Sequence, residues 1–188
     1  MTRLFCVGIM VAAVLFATPA FASVPFADNC IVAWYANPGS DIIFTCPTGD
    51  ESKLDVTVRD QFNLPIPLQT VTVTLGNVTD VCAGAISGAT DASGYVRLDL
   101  PVGTISTVAS PRITSTYTVT VMGYTIKSGT VEIMSADYDC SPQVNALDFS
   151  FFATDWLSTG VGLRSDFNND GAVDALDYSM WAIHWLHN

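Results

Sequence analysis

The feature that most constrains this chain is an internal duplication. Residues 137–157 read DYDCSPQVNALDFSFFATDWL and residues 166–186 read DFNNDGAVDALDYSMWAIHWL, aligned without a gap and sharing nine of twenty-one positions. Identity on that scale exceeds compositional chance and marks one supersecondary unit used twice. Eight aspartates lie from Asp137 onward, and Arg164 is the sole Lys or Arg among them. An acidic run is ordinarily a solvated or disordered tail. This one is dense in Phe, Trp and Leu, which disordered tails lack, so its acid has a use inside folded structure.

That use is legible in the spacing. Calcium takes roughly six to eight oxygens, and a twelve-residue loop supplies them from positions 1, 3, 5, 7, 9 and 12, with glycine at 6 for the sharp turn. The second repeat fits: Asp166, Asn168, Asp170, the carbonyl of Ala172, Asp174 through a water, and Asp177, with Gly171 at position 6. Val173 falls at position 8, where an aliphatic residue is expected to pair with its twin loop. The first repeat offers Asp137, Asp139, Ser141, the carbonyl of Gln143, Asn145 and Asp148, but Pro142 replaces the glycine. Proline is held near φ −65° and cannot take the positive φ usual there. Three carboxylates then stand against four. Calcium is therefore expected at the second loop, and at the first only conditionally, giving one or two ions. The alternatives are an acidic Asx-turn without an ion and a degenerate first loop. Cys140 sits at an even loop position, pointing away from the ion, so a disulfide there would brace the loop.

After each loop, apolar residues recur at helical spacing: Leu147, Phe151, Phe152 and Trp156, then Leu176, Met180, Trp181 and Trp185. In so small a unit they predict a two-helix core about a pseudo-twofold axis, with a partner-binding aromatic face as the competing reading. His184, in register with Asp155, is expected to face solvent. A loop closing on Asp at position 12, followed by one helix and preceded by none, resembles the type I dockerin across residues 137–188. That resemblance implies a calcium-bound module docking to a cohesin-like partner. In that family, specificity sits at loop positions 10 and 11 and on polar helix positions. Here these are Ala146-Leu147, Ala175-Leu176, Ala153-Thr154 and Ala182-Ile183, an apolar departure from the pattern.

Residues 23–134 read differently. Short β-rich runs recur at Ile31–Tyr35, Leu54–Arg59, Thr70–Leu75, Tyr95–Leu100, Tyr117–Met122 and Thr130–Met134, several in strict alternation. Turn signals lie between them: Asn37-Pro38-Gly39, Asn63-Leu64-Pro65, Gly76-Asn77 and Asp91-Ala92-Ser93-Gly94. The pattern predicts a mostly β protein, an antiparallel β-sandwich followed by the small helical module. The stretch Asp55-Val-Thr-Val-Arg-Asp-Gln-Phe-Asn-Leu-Pro-Ile-Pro and the hairpin-like Thr90-Asp91-Ala92-Ser93-Gly94-Tyr95-Val96 resemble bacterial Ig-like and carboxypeptidase-regulatory-like domains. That resemblance implies an Ig-like sandwich. No Pro- or Ser-rich linker separates residues 23–134 from 135–188, so a fixed arrangement of the two is expected.

The N-terminal stretch is set apart. Arg3, the apolar run Leu4–Leu15 and Ala20-Phe21-Ala22 follow the signal-peptide plan. The run is too short for a membrane span, which needs about 20 residues. Residues 1–22 are read as a leader and the protein as exported, with no membrane association once the leader is removed. In an oxidising compartment the remaining Cys30, Cys46, Cys82 and Cys140 suggest two disulfides of undetermined pairing. The net charge of −11 argues against nucleic acid. No GxSxG or HExxH motif occurs, and no histidine precedes His184. The ten carboxylates of residues 23–134 form no recognisable pair, so no enzyme is expected. Polysaccharide binding through Trp34 or Tyr35 remains the alternative role, with the C-terminal module as an assembly tag.

Overall fold

A computed structural model of the protein describes residues 23–35, 42–45 (backbone alone), 53–76, 82, 85–100, 112–141 and 143–186. The leader 1–22, the turn at 37–39, Cys46, Pro142 and His187 lie outside the described residues. Within them are eight strands, β1 (Ile31–Trp34), β2 (Ile42–Thr45), β3 (Lys53–Thr57), β4 (Thr70–Leu75), β5 (Ile86–Ala89), β6 (Tyr95–Asp99), β7 (Ile113–Val121) and β8 (Tyr124–Ser135). Two helices follow, α1 (Ala146–Asp155) and α2 (Ala175–Ala182).

The strands form two sheets, ordered β1-β3-β6 and β2-β8-β7-β4-β5. Alternation decides which side chains meet between them. Val71, Val73 and Leu75 of β4 and Tyr117, Val119 and Val121 of β7 share one buried core with Leu54 and Val56 of β3 and Val96 and Leu98 of β6. Trp34 belongs to that core, 5% exposed and edge-on to Tyr117. It is therefore no platform for a sugar.

Three features depart from the sequence reading. First, the sandwich is not wholly antiparallel, because β2 lies parallel to β8 with Ile42 opposite Glu132. Only strands joined by short hairpins must run antiparallel, and β2 reaches this edge from far away in the sequence. Second, the expected strands have no counterpart to β5, whose Ile-Ser-Gly-Ala is short and broken by a glycine although its exposure alternates. A Cβ at Gly88 would stand 2.7 Å from Leu98 Cδ2, so that side chain would have to shift. Third, the Thr90–Gly94 turn forms as expected, with Asp91 Oδ1 accepting the N–H groups of Ser93 and Tyr95 at 2.8 and 3.0 Å and Gly94 at φ +77°. Its arms β5 and β6 nevertheless belong to different sheets. The turn is a crossing between layers rather than a hairpin, because turn chemistry dictates the reversal and not the strand each arm joins.

The β7–β8 hairpin reverses through Met122 and Gly123, both at positive φ (53° and 82°), as the favoured two-residue turn requires. β8 then links the two halves of the molecule. Val131 and Ile133 face the sandwich core, while Met134 joins a second core with Ala136, Tyr138, Val144, Phe152, Phe167, Val173 and Trp181. The division drawn at 134/135 thus falls inside a strand, with Met134, Ser135 and Ala136 all buried. The absence of a linker is a packed junction.

Two disulfides were expected, and among the described residues there is one, joining Cys82 to Cys140 across 58 residues of sequence. Cys30 is not part of a bridge. Its sulfur is taken up by the chain of Arg59, accepting that residue's N–H at 3.4 Å and lying 3.5 Å from its carbonyl oxygen.

Candidate metal centre

The two repeats begin their helices identically. Asn145 and Asp174 are N-caps in extended backbone, and their side-chain oxygens accept the N–H groups of Leu147 and Leu176, each at 2.8 Å. Asp148 and Asp177 reach back to the N–H groups of Asn145 and Asp174, both at 2.9 Å, closing a capping box. Their other oxygens accept the N–H of loop position 2, from Tyr138 at 2.7 Å and Phe167 at 2.8 Å. The residue at position 12 therefore starts the helix and ties the loop shut. Both carboxylates are completely buried.

In the first loop the carboxylates converge. Asp137, Asp139 and Asp148 each bring an oxygen within 4.8 Å of the others. Ser141 Oγ and Asn145 Nδ2 donate to the Gln143 carbonyl at 2.8 and 3.1 Å, holding position 7 in the same loop. Burial, and then the charge of Asp148, push the Asp137 carboxyl up to about 7. Burial raises the Asp148 carboxyl as well. Like charges held together out of water raise each other's pKa, and a cation among them would remove that penalty. Three carboxylates so placed could hold a metal ion.

The second loop, the stronger of the two on spacing, is arranged differently. Asp166 turns Oδ1 to the N–H of Asp170 at 3.1 Å and Oδ2 to that of Gly171 at 2.9 Å. Asp170 accepts from Ala172 N at 3.0 Å and Asn168 Nδ2 at 2.8 Å. These carboxylates satisfy the loop's own donors, as Asp137 and Asp139 of the first loop do for the N–H groups of Asp139 and Ser141 at 3.2 and 2.9 Å. Among the described residues, the three-carboxylate convergence occurs in the first loop alone, the second loop carrying the amide Asn168 where the first has Asp139. Position 6 differs as well. Gly171, at φ +89°, offers Asp166 an N–H, whereas Pro142 has none to offer Asp137.

The position-8 valines are both buried in the second core, and their backbones bond to the chain leaving the opposite helix. Leu157 N donates to Val173 O at 3.0 Å and Val173 N to Ser158 O at 2.9 Å, while Leu186 N donates to Val144 O at 2.9 Å. Each loop is laced to the chain leaving the other repeat's helix. The duplication extends to unusual backbone angles: Cys140 and Asn169 have φ 62° and 59°, and Leu157 and Leu186 have 61° and 62°.

The helical stripe is also revised. Phe152 and Trp181 are buried at 1% exposure, but Leu147 and Leu176 are open at 51% and 60%. Phe149 and Tyr178, absent from the predicted stripe, stand between the helices, their ring centroids 6.4 Å apart. They border two repeat-related cavities, one of about 410 Å³ walled by Phe152, Ala153 and Trp156, the other of about 340 Å³ walled by Trp181, Ala182 and Trp185. His184, expected in solvent, is 4% exposed, in the turn after α2 that the bond from Leu186 N to Val144 O ties back to the first loop. Its counterpart Asp155 takes a bidentate contact from Arg164 (2.9 and 2.8 Å) and a hydrogen bond from Ser165 at 2.6 Å. Arg164 also donates to Phe151 O at 3.1 Å, a cation at a helix C-terminus. Being the one base in an acidic stretch was the sequence signal for this role.

The chain matches no protein-family model and no curated protein. It is similar in structure to the adhesin InvE of Yersinia pseudotuberculosis, with TM-score 0.39 and 20% identity over 59% of this chain and 28% of that one. It is also similar to WR4, a C. elegans MSP family member, with TM-score 0.29 and 12% identity over 56% of this chain and 96% of that one. The chain thus spans under a third of the adhesin's length, and likenesses at these values carry no functional argument.

Proposed function

We propose that this is an exported, non-catalytic calcium-binding protein, in which an Ig-like sandwich carries a dockerin-like module of two loop–helix repeats. The observation that carries this reading is the convergence of Asp137, Asp139 and Asp148 within 4.8 Å in one loop of a duplicated calcium-loop sequence. Asp166, Asn168, Asp170, Ala172, Asp174 and Asp177 supply the second candidate site, which binds once the carboxylates exchange amide donors for an ion. The module's role is docking. Its attachment through Met134 and the Cys82–Cys140 bridge favours its own β domain as one surface it is held against. The open Leu147 and Leu176 and the aromatic cavities between the helices favour an apolar, cohesin-like contact for the other.

Calorimetric calcium titration of residues 23–188 tests the reading. Saturable uptake of one or two ions is expected, with a thermal midpoint that rises as calcium exceeds its Kd, because an ion bound only to the folded state stabilises it by RT ln(1 + [L]/Kd). A flat titration with an unmoved midpoint would sink the proposal.

A further inference from the structure

We infer that the Cys82–Cys140 disulfide sets the calcium affinity of the first loop, making that site thiol-sensitive and the second site not. The inference rests on the calcium reading above and adds a regulator to it. Cys140 stands between Asp139 and Ser141, ligand positions 3 and 5, at φ +62°. Its counterpart in the second loop is Asn169 at φ +59°, a residue type that tolerates this left-handed region, which cysteine seldom occupies. Asn169 needs no help to hold the turn; Cys140 is held by its bond to Cys82, in the segment between β4 and β5 of the sandwich.

Both loops carry internal amide bonds, from Asp170 and Gly171 to Asp166 in the second and from Asp139 to Asp137 and Ser141 to Asp139 in the first. Pro142 removes one such amide from the first loop, and the cross-link supplies an external restraint instead. A loop already held near its binding shape loses less conformational freedom when the ion arrives, so the restraint favours binding. Cys140 is exposed, so a small dithiol reaches its sulfur. The reductant's thiolate attacks one sulfur to give a mixed disulfide, and its second thiol displaces the protein. Cys82 and Cys140 leave as thiols and the reductant as a cyclic disulfide, two electrons having passed to the protein. Linkage makes the effect reciprocal: calcium must resist reduction of the bridge by the same factor that reduction weakens calcium.

The test is calorimetric calcium titration of the leader-free full chain, oxidised, reduced with dithiothreitol, and as the Cys82→Ser/Cys140→Ser double variant. Asp148→Asn assigns which of the two binding events belongs to the first loop. Opening the bridge is expected to weaken the first event about tenfold and leave the second within twofold. The bridge's potential, read by mass in a dithiothreitol redox buffer, is expected to fall by about 30 mV in saturating calcium for a tenfold coupling. Two calcium events unchanged by reduction, or a potential indifferent to calcium, would overturn the inference while leaving the calcium reading intact. Absence of calcium binding in the oxidised protein would overturn both. If the double variant does not fold, the potential of the unmutated protein decides alone.

Discussion

At the scale of single residues, the first loop is a concentration of buried negative charge, and its pH behaviour follows from that. Asp137 titrates near 7 in the folded chain, against an ordinary carboxylate value of 3.8. A carboxyl with a raised folded pKa contributes stability that is complete below its unfolded pKa and is lost as pH climbs through the folded one. The chelated protein should therefore lose thermal midpoint as pH rises from about 4 to about 7. Calcium binds the ionised carboxylate, so the calcium-induced gain in midpoint should grow over the same window. Thermal melts with calcium and with chelator check both signs; a calcium effect constant across that range would contradict the assignment. Asp55 has the opposite sign, since the hydrogen bond from Arg97 holds its carboxyl below the usual range. Asp148 is the more structural of the loop's acids. Asp148→Asn places an amide donor against the N–H groups of Tyr138 and Asn145 and should cost about 1–3 kcal/mol, as buried unsatisfied donors do. It should also remove the first calcium event, both effects being readable from denaturant unfolding and titration.

Elements show where packing overrides pattern. α1 and α2 have the same apolar spacing in sequence, yet each buries one aromatic and leaves its Leu in solvent. Trp181 is 1% exposed and donates its Nε1–H to Ala136 O at 3.2 Å. Trp185, one turn on, is 38% exposed. Trp181→Ala should cost about 3–5 kcal/mol and Trp185→Ala well under half of that. Equal losses in urea unfolding would mean that the two rings are equivalent and that the burial pattern is wrong. In the sandwich, Gly94 sits at φ +77°, and a Cβ there would meet Val58 O at 2.5 Å. Gly94→Ala should destabilise by more than about 1 kcal/mol, because both the left-handed angle and the contact with backbone resist it.

For the molecule as a whole, the junction decides how the two halves respond together. β8 passes from one core to the other between Ile133 and Met134, and Cys82–Cys140 closes a second connection. Limited proteolysis in calcium should therefore fail to cut between residues 134 and 136, all buried. Two stable fragments split there would mean the module is a free tag. Loss of the bridge should lower global stability by roughly 2–5 kcal/mol, the usual effect of removing a native disulfide. This is measured on the Cys82→Ser/Cys140→Ser variant in saturating calcium.

The sequence by itself determined what depends on neighbours a few residues apart. The alternating strands β4 and β7, the Asp91–Gly94 turn and the twelve-residue spacing of both loops were legible for that reason. Periodicity and turn hydrogen bonds are written within one short stretch of chain. Tertiary structure decided what depends on remote partners: β2 lying parallel to β8, β5 and β6 parting into different sheets, Cys82 as the partner of Cys140, and the burial of His184. It also decided which loop side chains meet: Asp137, Asp139 and Asp148 lie within 4.8 Å of one another, because spacing along the chain does not say where side-chain oxygens turn.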